Sequence, residues 1–222
     1  MQTFADLLEQ HAGLTVEKQR ALSQLLGSHR WDANIPDGKL SFTLESGDTI
    51  TCDVQLIGTE SYESQSWLWA WANKQSNLPL KLLRSVMELQ EFGAVSRIEA
   101  LTHDHLELSE FPAQALAIVA TGFTDADAYY RGDYGSGALY CALKLPELRE
   151  RPPTTDLEII GVMTELISAM ELNHRRALLN YVKAKAWRVF NEERIITAQA
   201  NDGSRVVAHF DELDRITSFQ TQ

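Results

Sequence analysis

The sequence is poor in the residues that mark specialised classes of protein. It holds 2 cysteines and 6 prolines in 222 residues. Two cysteines cannot build the disulfide framework of a small secreted domain. Cys52 and Cys141 lie in apolar, strand-like stretches and read as small core residues, or as free thiols of a reduced compartment. No apolar run approaches the ~20 residues that a membrane helix needs. The opening stretch, MQTFADLLEQ, has an early acid and no basic segment ahead of an apolar one, which is not the pattern of a signal peptide. The expected localisation is cytoplasmic. Cations are also scarce: 20 Lys and Arg face 31 Asp and Glu, for a formal net charge of −11. The excess is uneven, with 21 acids and 12 bases in residues 1–153 and 10 acids and 8 bases after them. Phosphate backbones and anionic bilayers are repelled by such a surface, so neither nucleic acid nor membrane is an expected partner. Solubility is the plain role of this acidity.

Catalytic signatures are missing as well. There is no Gly-x-Ser-x-Gly elbow, no His-Glu-x-x-His, no phosphate loop and no Cys-x-x-Cys pair. No cofactor is implied.

What stands out is Ser66-Trp67-Leu68-Trp69-Ala70-Trp71-Ala72-Asn73, which holds three of the 5 tryptophans. The indoles recur every second residue. On a strand they share one face, with Leu68, Ala70 and Ala72 on the other. On a helix they share none. The segment is therefore expected to be a strand, with its indoles either in a core or forming an aromatic wall for a ligand.

Around it, the patterning predicts an α+β protein: antiparallel sheets built from meanders, packed against helices mainly on one face. Residues 2–26 predict a helical hairpin, with Gly13 stopping the first helix and Gly27 the second. Period-two alternation over Lys39–Glu45 and Asp48–Glu60, joined by Ser46-Gly47, predicts two strands that run into the tryptophan strand as a three-strand meander. Asn77-Leu78-Pro79 predicts a capped helix ending at Gly93. A further helix is expected from Pro112 to Gly122, then a loop over residues 124–137, then a buried strand over 138–145. The stretch Arg151-Pro152-Pro153 reads as a linker. Beyond it a helical region, with a break near Asn173-His174, precedes three strands over 186–200, 204–210 and 215–219. The organisation expected is thus residues 1–150, a helical hairpin plus an α+β core with the tryptophan strand, and residues 151–222, a helical region plus a C-terminal three-strand meander. The second part either extends the first core or stands apart.

Two other clusters bear on chemistry. The run from Asp125 to Gly137 mixes three carboxylates, three tyrosines, Arg131 and three glycines. Asp125 and Asp127 are placed like the start of a calcium loop, but Tyr129 stands where an oxygen ligand belongs. His103 and His105 would share a face of a strand, as half of a transition-metal site does, and would point apart on a helix.

The segment Leu56-Ile57-Gly58-Thr59, followed by Ser66–Asn73, resembles the signature of a bacterial family of uncharacterised proteins, a domain of unknown function. In that family a strand and a Gly-Thr/Ser turn precede a Trp-x-Trp-x-Trp-Ala-Asn strand. A helix and a later tyrosine-bearing turn into an apolar strand follow, here Tyr129-Tyr130-Arg131-Gly132 and residues 138–143. The resemblance covers roughly residues 40–145. It implies a fold neighbourhood and no activity. If its two parts meet, Tyr130, Arg131 and Tyr134 sit near Trp67, Trp69, Trp71 and Asn73 and line a cleft.

The functional expectation is a binding or interaction module that recognises a protein or a small molecule through an aromatic, acidic surface. A role like that of immunity proteins, which are small, acidic and free of motifs, fits the composition. The alternative is a metal-dependent, hydrolase-like enzyme using His103, His105 and nearby carboxylates. A self-associating structural role through the tryptophan face is a third reading.

Overall fold

The computed structural model describes residues 2–221. Its chain divides into two compact units. One holds residues 1–4 and 18–150; the other holds residues 5–17 and 151–222. Both are built from antiparallel sheets and helices, so the fold class is α+β.

Helix α1, Phe4–Leu26, is shared between them. It is one helix, not the hairpin that Gly13 suggested. Residues 5–17 of α1 pack in the second unit, whose other helices are α4 (Asp156–Ala169) and α5 (His174–Ala184). A Cβ on Gly13 would lie 2.5 Å from Cβ and Cγ of Tyr181 on α5. The glycine therefore serves close helix approach. That outweighs the ~1 kcal/mol it costs as a poor helix former.

The helical region after Pro153 does break before His174, because the Asn173 side chain caps α5 by accepting from Arg176 N. Four strands follow, not three. These are β8 (Arg188–Asn191), β9 (Ile195–Gln199), β10 (Arg205–Phe210) and β11 (Ile216–Thr221), in the order β11-β10-β9-β8. The apolar run that reads as one long strand is folded back at residues 192–194. Arg175 holds that turn: its guanidinium donates to Asn191 Oδ1, Glu192 O, Glu193 O and Asp214 Oδ1.

The first unit is organised by a long strand, β3 (Thr49–Ser61). Its first half pairs with β2 (Lys39–Leu44) and its last four residues with β4 (Ser66–Trp69). Its other edge pairs with β7 (Gly137–Lys144), which pairs with β6 (Ala128–Asp133). β1 (His29–Asn34) lies outside β2, and β5 (His105–Glu107) outside β4. β1 and β6 are thus the two ends of the path β1-β2-β3-β7-β6. Yet their side chains touch: His29 Nε2 lies 3.0 Å from Tyr130 Oη, and Trp31 packs over Gly132. The sheet is therefore strongly curled, as twisted antiparallel sheets are prone to be. The concave face carries His29, Trp31, Phe42, Val54, Tyr130 and Cys141. The convex face carries Trp67, Trp69, Tyr129 and Tyr140.

Several segments of this unit differ from the sequence expectation, β1 among them, which no pattern announced. Residues 128–133, expected as loop, form β6, because Ala128, Tyr130 and Gly132 alternate inward against Leu143, Cys141 and Leu139. The helix expected from Asn77 starts later. A turn of 3-10 helix at Leu80–Leu82 precedes α2 (Arg84–Ser96), which runs past Gly93 and ends with Arg97 in the left-handed conformation (φ 58°). Gly93 faces Leu101, whose Cβ leaves no room for a larger residue. Helix α3 (Ala113–Phe123), nearly all apolar and buried, packs against β3, β6 and β7.

Candidate functional site

The tryptophan strand ends early. β4 stops at Trp69, and Ala70–Ala72 turn into a 3-10 helix closed by Asn73 N donating to Ala70 O. The three indoles therefore do not share a face. Trp67 and Trp69 are fully buried on the convex side, edge to face with each other at 5.4 Å, and Trp67 meets Tyr140 at 5.1 Å. Trp69 Nε1 donates to Ala100 O at 3.0 Å. These two indoles are core, closed to any ligand. Trp71, off the strand, is half-buried.

Tyr130, Arg131 and Tyr134 part company too. Alternation on β6 sends Tyr130 to the concave face and Arg131 to the convex one. Tyr130 packs on Phe42 at 4.8 Å and on Trp31 at 5.9 Å. Burial pushes its hydroxyl up to about 12. Tyr134 is exposed at the β6–β7 turn.

Arg131 sits in a polar network at the end of the sheet. It donates to Tyr140 Oη at 3.1 Å, to Glu60 Oε2 at 3.3 Å and to Tyr62 Oη, and lies 3.5 Å from Asp133. Tyr140 Oη also donates to Glu60 at 3.0 Å. Burial, then the Glu60 charge, pushes the Tyr140 hydroxyl far up. Two carboxylates answer the one guanidinium, so the network is internally matched and offers no free cation to an anion.

His103 and His105 are both exposed, and the His105 ring lies 3.6 Å from Asp104. Among the described residues no group of three His, Cys, Asp or Glu is arranged to hold a metal ion.

Of the predicted site residues, Asn73 lines a cavity. A cavity of ≈ 160 Å³ opens on the concave side, where β3, β4 and β7 meet the 70–78 segment. Its apolar wall comes from Ile35, Leu56, Leu68, Leu78 and Leu139, with Ala70 and Gly58. Its polar groups are Thr59, Asn73 and Ser76, and no charged side chain lines it. The bulge at Ile57, between Leu56 and Gly58, shifts the register there.

Gly58 ties the two faces together. A Cβ at Gly58 would lie 2.6 Å from Trp67 Cε2 and 2.7 Å from Leu68 O. The indole fills the side-chain space of Gly58 on the convex side, and the residue adds only backbone to the cavity. In the sequence, Leu68 and Ala70 read as the unremarkable face of the tryptophan strand, and they are the face that meets the cavity. The alternation carried that signal. Ile35, Leu78 and Leu139 carried none, since only the curl of the sheet and the path of the 70–78 segment bring them there.

No curated protein and no solved structure matches the chain. A family model does match it, over residues 5–146, which include every strand of the curled sheet and the whole cavity wall. The chain belongs to that family, a family of unknown function (DUF6882).

Proposed function

We propose that the protein is a binding module whose recognition surface is the concave side of the curled sheet in the unit holding residues 18–150. The observation that carries this reading is the cavity. It lies on the concave side, where apolar walls meet a few polar groups, as small-molecule sites commonly do. Half-buried aromatics on the same face, His29, Trp31 and Tyr130, support it, because amphipathic rings are suited to recognition. The aromatic surface is then formed by these rings and not by Trp67 and Trp69.

The test is amide shift mapping of the full chain with a panel of small neutral, acidic and basic fragments and short peptides. The expected result is that the shifts cluster on concave-face residues of β1, β2, β3, β4, β6 and β7. Shifts that map to the helix-covered convex face, or a panel that produces no saturable shift, would sink the reading.

A further inference from the structure

The chemistry of the cavity defines a ligand class, on the reading that the concave side is the recognition surface. Size comes first. At ≈ 160 Å³ the cavity is close to an engineered cavity of about 150 Å³ that takes up benzene, so it suits a body of roughly six to eight heavy atoms. Charge comes second. No cation lines the wall, and a buried carboxylate without a partner is costly to desolvate. No anion lines it either, so a cationic ligand gains no pairing.

The third observation is the state of the polar groups. Asn73 Oδ1 accepts from Ser76 N at 3.1 Å, which fixes the amide with its oxygen committed and leaves its two N–H donors. Among the described residues those donors have no protein partner, and neither do the hydroxyls of Thr59 and Ser76. All three residues line the cavity. A wall of leucine and isoleucine thus carries an unused amide donor and two hydroxyls free to donate. That set matches a hydrogen-bond acceptor on the ligand.

We infer that this cavity binds a small neutral molecule with a compact apolar body, of the size of one ring or a short branched chain, and a carbonyl oxygen held by Asn73 with help from Thr59 or Ser76. Amides, esters, lactones and ketones of that size are the class.

The experiment is a titration of the full chain, followed by amide shifts, with benzamide, toluene and benzoate. They share a ring and differ in head group: neutral carbonyl, none, and charged. Benzamide should give saturable shifts at Thr59, Leu68, Asn73, Ser76 and Leu139, with Kd on the order of 1 mM, since so few atoms can supply little more. Toluene and benzoate should bind at least about tenfold more weakly, the scale of one lost hydrogen bond or one unpaired charge. Leu139→Phe should fill the cavity and abolish the shifts. Asn73 is partly exposed, so Asn73→Ala should leave the fold intact, lower benzamide affinity about fivefold to tenfold and leave toluene unchanged. If Leu139→Phe does not fold, the Asn73→Ala comparison still decides.

Benzoate binding as well as benzamide, or benzamide binding undisturbed by Asn73→Ala, overturns the inference. So does benzamide that leaves these five amides unmoved. If fragments still cluster around Trp31 and Tyr130, the recognition surface stands and only the ligand class fails. If nothing clusters on the concave side, both fail.

Discussion

Replacing Gly58 by alanine tests whether the buried tryptophan and the cavity wall are one mechanical unit. Two effects oppose each other. Gly58 has an ordinary strand backbone, with no positive φ, so alanine is tolerated by the backbone itself. Removing glycine's freedom in the unfolded chain then stabilises by about 0.4–1 kcal/mol. Against that, the new Cβ would lie 2.6 Å from Trp67 Cε2 and 2.7 Å from Leu68 O. Real Cβ atoms do not approach so closely, so something must move. Trp67 is 0% exposed and is held by Trp69 and Tyr140, which leaves the indole little room to retreat. Overpacking of this kind costs about 1–3 kcal/mol. The steric effect wins, and a net loss of roughly 1–2 kcal/mol is expected.

The measurement is urea unfolding followed by far-UV circular dichroism, joined to amide exchange in β3, β4 and β7. Exchange localises the loss in a chain whose two units need not unfold together. Trp67→Phe removes the benzo ring that collides. Gly58→Ala with Trp67→Phe should therefore lose less than the sum of the single changes, by about 1 kcal/mol. Gly58→Ala as stable as the wild type, or more stable, would refute the reasoning. So would strict additivity with Trp67→Phe.

Other consequences can be checked separately. In the second unit the Glu17 carboxylate, 3% exposed, accepts from Tyr181 Oη at 2.6 Å, Thr154 Oγ1 at 2.9 Å, Lys185 Nζ at 3.0 Å and Arg151 at 3.4 Å. Glu17→Gln removes the charge that two cations share and turns an amide NH₂ towards donors. A loss of about 3–5 kcal/mol is expected in denaturant unfolding of that unit, and a loss under 1 kcal/mol would contradict it. Burial, and then the Asp53 charge, pushes the Cys52 thiol up to about 11; burial, and then Cys52, pushes Cys141 up to about 12. Both should resist iodoacetamide in the folded protein at neutral pH and react on unfolding, as mass spectrometry would show. Desolvation, with Arg215 nearby and Asp211 opposing, lowers the His174 pKa, and its Nδ1 accepts from Ile216 N. A lowered folded-state pKa means the unfolded chain binds more protons. The contribution is therefore present above the unfolded value near 6.5 and is lost as pH falls through the folded one. His174→Gln should flatten the decline of stability of that unit on acidification from neutral pH, and an unchanged slope would count against this assignment.

The amino-acid sequence by itself determined the secondary-structure class and much of the strand set. Period-two alternation at Leu40–Phe42 and Cys52–Val54 fixed β2 and β3, because a pleated strand with one buried face permits little else. The near-continuous apolar run at residues 138–143 fixed β7, buried on both faces. Asn173 before α5 was legible because a cap acts through its own backbone neighbours. Glycines misled. Gly13 and Gly93 look like stops, yet they are points of close approach, a role set for Gly13 by Tyr181 far along the chain and for Gly93 by Leu101, where the chain turns back just after α2.

The tryptophan segment shows the same division. Its spacing announced a strand with a distinct indole face. Where the strand stops was decided by the 3-10 turn at Ala70–Ala72, and what each face meets by the tertiary packing on the two sides of the sheet. Trp67 and Trp69 face the convex, helix-covered side of the curled sheet, and Leu68 and Thr59 face the side where Asn73, Ser76 and Leu139 close a cavity. Alternation is a property of two or three neighbouring residues, so sequence can display it. Curl depends on how β1 and β6 meet about 100 residues apart in the chain, through His29, Trp31, Tyr130 and Gly132, and only the folded sheet brings those side chains together.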